Sequence, residues 1–309
     1  MSILIAGTLA LDTIETPTDK AERILGGSAT YIALGARPLV ASIGLVAVIG
    51  RDFPDEYRQI LKSINVDLSG VQHVKDQDSF AWGCQYRDNL NTRETTFTHL
   101  NALEHFQPIV PEHFSQCKVL CLGNLAPHIQ SDTLSQVSDA SFVACDTMNY
   151  WIRETPADLR RVLREVDCLV INDEEAIQMT DQTNLFAAAH QVLRMGPKSL
   201  VIKKGEHGAM LFVEDHIFIV PGFPLKDVQD PTGAGDAFLG AMAGSLCNET
   251  HIGLDALKRS VVYGGTVASF CVEAIGHDQL MDLSPFTIEQ RAAQFGGVTE
   301  WPSLQRQTE

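Results

Sequence analysis

Toward the C-terminal end of the chain, the run Val228-Gln229-Asp230-Pro231-Thr232-Gly233-Ala234-Gly235-Asp236-Ala237-Phe238-Leu239-Gly240 sets a carboxylate at the mouth of an apolar segment. Gly233 and Gly235 permit backbone angles closed to other residues and let a ligand approach the main chain. The apolar residues that follow contain no proline and predict a helix. Free N–H groups at a helix start carry about half a positive charge and form an anion site. Asp236 placed there could take a proton from a hydroxyl as it attacks a phosphate held on the same amides. A plainer reading makes Asp236 a helix cap and the glycines a turn. The segment matches neither G-x-x-x-x-G-K-[ST] nor G-x-G-x-x-G, so P-loop and dinucleotide sites lose support.

Such a corner must be held by a framework, and the sequence predicts one. Short apolar runs read as buried parallel strands: Ile3–Ala6, Leu45–Ile49, Val119–Leu122, Phe142–Cys145, Cys168–Ile171 and Leu200–Lys203. Helical spacing lies between them. Leu159, Val162, Leu163 and Val166 fall at i, i+3, i+4 and i+7, and further helices are expected over Asn184–Met195 and Asp255–Ala268. Strands alternating with helices argue for a parallel sheet covered on both faces. Two stretches, 12–27 and 78–100, alternate apolar and polar residues instead. That period marks strands with one wet face, so both are assigned to a small sheet projecting from the α/β body.

The chain has 309 residues, 23 Lys plus Arg against 39 Asp plus Glu, and a formal charge of −16. A surface that acidic disfavours nucleic acid and anionic lipid. Seven cysteines with no C-x-x-C, most within apolar runs such as Val119-Leu120-Cys121-Leu122, read as buried thiols in a reducing compartment. No His or Cys pair carries zinc-ligand spacing. The N-terminus lacks a basic region and a long apolar run, and the longest apolar stretch, Pro38 to Gly50, is too short to span a bilayer. A cytoplasmic protein without a membrane partner is expected.

Asp230-Pro231-Thr232-Gly233-Ala234-Gly235-Asp236-Ala237-Phe238 resembles the C-terminal signature of the ribokinase-like (PfkB) family of carbohydrate and nucleoside kinases. Further matches follow the family's order: Gly26-Gly27, Ile49-Gly50-Arg51-Asp52, Asn172-Asp173-Glu174-Glu175, and Val201-Ile202-Lys203-Lys204-Gly205-Glu206-His207-Gly208. The resemblance implies a single ribokinase-like kinase domain over 1–309, with 12–27 and 78–100 as its lid. It implies Asp236 as catalytic base, with Gly233, Ala234 and Gly235 in the anion hole. Asn172, Lys203, Gly205 and Gly208 would bind ATP. Asn172 and Glu175 would organise Mg²⁺ through water; by spacing alone they also read as a capping box. Asp230 and Thr232 resemble positions that hold a monovalent cation such as K⁺ in some members. A homodimer through the lid sheet is a further implication.

For the acceptor, the resemblance implies Asp12, Gly26, Gly27, Asn124 and the position of Tyr31. The family usually carries Asn where this chain has Tyr31, which replaces a two-way hydrogen-bonding amide by a ring with one hydroxyl. The segment 79–106 holds Phe80, Trp82, Tyr86, Phe97 and Phe106, five aromatics in 28 residues against 7% for the whole chain. Aromatic faces suit a nucleobase, although the rings could simply pack the lid. Arg87 and Arg93 could reach over the closed site. The resulting expectation is ATP-dependent phosphorylation of a ribonucleoside 5′-hydroxyl, as in adenosine-kinase-like members. A ribokinase- or fructokinase-like sugar kinase is the alternative, and a non-catalytic binding protein with the same fold is the alternative of another class.

Overall fold

A computed structural model describes residues 2–87, 90 and 92–299. The six apolar runs are neighbours in one sheet. Its strands are β1 (Ser2–Ala6), β4 (Ser42–Ile49), β5 (Val66–His73), β8 (Val119–Leu122), β9 (Phe142–Cys145), β10 (Cys168–Asn172), β11 (Ser199–Lys203), β12 (Ala209–Val213) and β13 (His216–Val220). The order is β13-β12-β11-β10-β9-β8-β1-β4-β5. Every pairing from β11 to β5 is parallel, while β12 and β13 add an antiparallel hairpin edge.

Successive residues of β1 show why these strands carry no alternation. Ile3 and Ile5 enter the apolar core on one face of the sheet, and Leu4 and Ala6 enter the core on the other. Helices cover both faces, so each position is buried and selection for apolar residues is continuous. The expected helices form over Pro156–Leu163, Leu185–Leu193 and Leu254–Cys271. Asn184 stays outside its helix because its side chain accepts the N–H groups of Phe186 and Ala187. The hairpin edge and β5 were not among the expected strands. β5 carries Asp67, Ser69 and Gln72 in the register of a sheet edge, so it lacks the apolar run of the inner strands.

The two alternating stretches form a separate sheet of order β3-β2-β6-β7, with β2 at Ala10–Glu15, β3 at Lys20–Gly26, β6 at Ala81–Tyr86 and β7 at Arg93–His99. Six of the seven residues of β7 are exposed, which accounts for its polar alternation. Residues 88, 89 and 91 of the expected lid lie outside the described residues. The sheet is pinned to the body beside β4. Asp52 accepts the Arg23 guanidinium at 2.9 Å and the Ser79 amide at 2.6 Å, and Ser79 Oγ accepts the Gly50 amide at 2.9 Å. All seven cysteines are free and buried. Among the described residues no helix is long and apolar enough to cross a membrane.

Candidate active site

The parallel strands end at one rim, and the sequence-flagged residues gather there. Asp146 follows β9, Asn172 closes β10, and Lys203 closes β11 directly opposite Asn172 in register. The helix Ala234–Cys247 starts against them, and the small sheet overhangs them. Between body and sheet lies a cavity of about 1350 Å³ whose walls include Asp12, Asn172, Lys203 and Asp236.

The helix start differs from a simple cap. Gly233 is the N-cap in a left-handed conformation, φ +79°, and Asp236 is the third helical residue, with no capping bond. A side chain at 233 would strike the Tyr31 ring at 2.4 Å, so glycine is demanded by both backbone and space. The Ala234 amide donates to the Pro231 carbonyl at 3.2 Å. That removes Ala234 from the expected anion hole as a free donor. The amides of Gly233, Gly235 and Asp236 have no such backbone partner among the described residues. Asp236 Oδ1 is enclosed yet has no hydrogen-bond partner. Burial first, then the nearby Asp146 charge, pushes the Asp236 carboxyl up to about 7, against the pull of Lys203.

Asn172 and Glu175 do form a capping box. Asn172 Oδ1 accepts the Glu175 amide, and Glu175 Oε2 accepts the Asn172 amide, both at 2.8 Å. This role engages Asn172 Oδ1 and Glu175 Oε2 and leaves Asn172 Nδ2 and Glu175 Oε1 for other partners, so capping and ligand binding are compatible. Burial and the Asp146 charge lift Glu175 to about 7. Gly205 and Gly208, at φ +53° and +88°, line the cavity beside Pro221–Leu225 and the helix residues Gly265, Ala268 and Ser269. Those last two segments were missed, and only the Pro-Gly content of 221–224 hints at them.

On the acceptor side, Asp12 is 4% exposed, accepts the Gly27 amide at 3.2 Å, and is pushed by burial up to about 7. The two glycines expected to admit a sugar are demanded by the protein itself. A side chain at Gly26 would lie 1.9 Å from Asp12 Oδ2, and one at Gly27 would lie 2.4 Å from the Thr8 carbonyl. Asn124 reaches the cavity, but its Oδ1 accepts the Trp151 indole N–H at 3.0 Å and its amide donates to Met148 Sδ. It therefore sets the Trp151 ring. Tyr31 is 1% exposed, borders the cavity with its ring against Gly233, and has a buried hydroxyl without a partner.

The aromatic cluster divides. Phe80 and Trp82 line the cavity, and the Arg93 guanidinium stacks 5.0 Å from the Trp82 ring centroid. Tyr86 is buried with its hydroxyl 3.0 Å from Thr232 Oγ1, Phe97 stacks on His99, and Phe106 belongs to the body core. Trp151 and Tyr150 add an unexpected aromatic wall from the helix Asn149–Glu154, their rings edge to face at 4.8 Å. Asp230 is 1% exposed and accepts the Thr232 and Gly276 amides.

A model of the pfkB family of carbohydrate kinases matches residues 11–282. The chain belongs to that family. It is 26% identical to the cytidine kinase of Thermococcus kodakarensis over 78% of this chain and 86% of that one. The crystal structure of the Methanocaldococcus jannaschii nucleoside kinase, an archaeal member of the ribokinase family, superposes with a TM-score of 0.79 at 20% identity over 95% and 98% of the two chains. The Burkholderia thailandensis nucleoside kinase in complex with inosine gives a TM-score of 0.75 at 20% identity over 97% and 100%. The ribokinase-like fold expected from the motifs is thus the fold observed, and this pfkB kinase carries Asp236, its glycine corner and the N-x-x-E pair at one rim. Asp146, within the same cluster, was not singled out from the sequence. It follows a strand as any turn aspartate would, and only the fold brings it to Lys203.

Proposed function

We propose that this pfkB kinase transfers the terminal phosphoryl group of ATP to the 5′-hydroxyl of a nucleoside. The observation that carries the chemistry is the enclosed, unpartnered Oδ1 of Asp236 beside free helix-start amides. An unmatched buried acceptor costs about 1–3 kcal/mol, and a hydroxyl donating to this carboxylate would relieve it. The aromatic walls, Phe80 and Trp82 on one side with Tyr150 and Trp151 on the other, offer stacking surface that a free sugar does not need. The cytidine kinase and nucleoside kinase relatives support the same class of acceptor.

ATP would lie from Lys203 and the Gly205–Gly208 turn toward Pro221–Leu225, its terminal phosphate at Gly233, Gly235 and Asp236. Asp12 would accept a hydrogen bond from a sugar hydroxyl. Once the small sheet excludes water, Asp236 takes the proton of the attacking hydroxyl, and the amides meet the charge on the phosphoryl group in transit. Asp146, Glu175 and Asp236 all act on the Lys203 ammonium, a gathering of three carboxyl groups that fits a divalent cation. The described residues contain no direct metal-ligating cluster, so Asn172 and Glu175 would hold Mg²⁺ through water. Mg²⁺ would supply neutralisation of the phosphate charges. Asp230 and Thr232 fit a monovalent cation less well, since backbone amides and Tyr86 already engage them.

ADP formation from ATP over a panel of ribonucleosides, ribose and fructose tests the reading. Nucleoside-dependent turnover with a 5′-monophosphate product is expected; turnover with free sugars alone would refute the nucleoside assignment.

A further inference from the structure

The Lys203 ammonium does not lie in the open groove. A side-chain carbon at Gly235 would come within 2.9 Å of Lys203 Nζ, which places the ammonium against the glycine corner itself. Its hydrogen bond runs to Asp146 Oδ2 at 3.5 Å, with the two side chains 16% and 9% exposed. Asp146 is fixed more firmly than its partner. Its amide donates to the Leu122 carbonyl at 2.8 Å, its carbonyl accepts Gln130 Nε2 at 2.9 Å, and its Oδ1 accepts the Thr147 amide at 2.8 Å. The lysine stem is flexible and carries three donors. Asp236 and Glu175 also pull on that ammonium.

We propose that Asp146 is a positioning residue that holds the Lys203 ammonium as the cationic wall of the anion hole, beside the Gly235 amide and off the Asp236 base. Three carboxylates compete for one ammonium. Without the Asp146 carboxylate, the nearest anions for the buried ammonium are Asp236 and Glu175. A lysine paired to Asp236 would quench the base and vacate the hole in a single movement. Held by Asp146, the same charge faces the site where the phosphoryl group gains charge in transit, and low polarity makes it effective there. The ammonium also takes the place of a side chain at 235, so any larger residue there would have to push the lysine tip away from the corner.

The inference rests on the phosphotransfer reading above, so its test has an arm that needs no turnover. Lys203→Met should lower kcat by ~100-fold or more, the low end for loss of one stabilising group in such a hole. Asp146→Asn should lower kcat by ~10-fold or more through misplacement. The double variant should be no worse than the poorer single one, because both changes abolish one function. The acceptor KM and the Mg²⁺ concentration for half-maximal rate should stay within about threefold. Asp146→Ser carries the same expectation should Asp146→Asn fail to fold. A kcat within threefold of wild type for the Asp146 variant, or losses that multiply in the double variant, would overturn the proposal. Binding of AMP-PNP relative to ADP forms the second arm: both variants should lose the preference for the terminal phosphate. Wild-type protein that turns over no acceptor would sink the phosphotransfer reading alone, and an Asp146 variant that kept its preference for AMP-PNP would sink this one.

Discussion

Asp12 occupies the space that a side chain at residue 26 would fill: the carboxylate oxygen lies 1.9 Å from the position of a Cβ on Gly26. The relation couples two strands of the small sheet, since Gly26 ends β3 and Asp12 sits on β2 beside it. The di-glycine motif therefore sets the Asp12 carboxylate as well as turning the chain into the helix Ser28–Ala36.

Gly26→Ala must push Asp12 aside and break its bond to the Gly27 amide. The expected outcome is a rise in acceptor KM of ~10-fold or more, the scale of one lost hydrogen bond to a charged group, with the KM for ATP within about twofold. Steady-state kinetics with both substrates varied checks it. Equal changes in both constants would mean general misfolding of the rim.

Asp236, Glu175 and Asp12 are acids lifted by burial to about 7 in the folded chain, far above their ordinary range. Between pH 4 and 7 the folded state then binds protons that the unfolded chain has released. Their contribution to stability is complete below pH 4 and is lost as pH rises through about 7. Asp236→Asn removes one such group. At pH 8 the unliganded variant should melt about 2–4 °C higher than wild type, the shift for roughly 1 kcal/mol, and its melting temperature should change less between pH 6 and 8. Turnover should fall ~100-fold or more. In wild type, kcat/KM should drop about tenfold per unit below pH 7, because only the ionised carboxylate takes a proton. A variant less stable at pH 8, or one with turnover within threefold of wild type, would contradict the burial and base roles respectively.

What the sequence disclosed follows from how strongly each position is constrained. Inner strands such as Cys168–Asn172 are buried on both faces and read as plain apolar runs, and the glycine corner is legible because few residues tolerate its geometry. β5 and the β12–β13 edge escaped notice because an edge strand meets weaker demands. Within the site, Asp236 and Asn172 stood out by motif. Asp146 did not, since its partner Lys203 is distant in sequence. Roles were less legible than places: Ala234 and Asn124 line the cavity, but the Pro231 carbonyl takes the Ala234 amide and Trp151 and Met148 take the Asn124 side chain, which only three-dimensional contacts reveal.

Asn124 illustrates the point in a form that kinetics can decide. Its side-chain oxygen accepts the Trp151 indole N–H at 3.0 Å, and both residues line the cavity. If Asn124 served the sugar directly, its removal would weaken ribose and nucleoside alike. Acting through Trp151, its loss frees a ring whose indole N–H then lacks a partner, and the damage is confined to acceptors that stack on that ring. Base stacking on an aromatic side chain is worth ~1–3 kcal/mol. Asn124→Ala and Trp151→Leu should therefore each raise the KM for a nucleoside by ~5-fold or more, while the weak binding of free ribose, followed by thermal shift, stays unchanged. The two changes together should add little to the Trp151 variant alone. A parallel loss of ribose binding in Asn124→Ala would return the residue to the sugar.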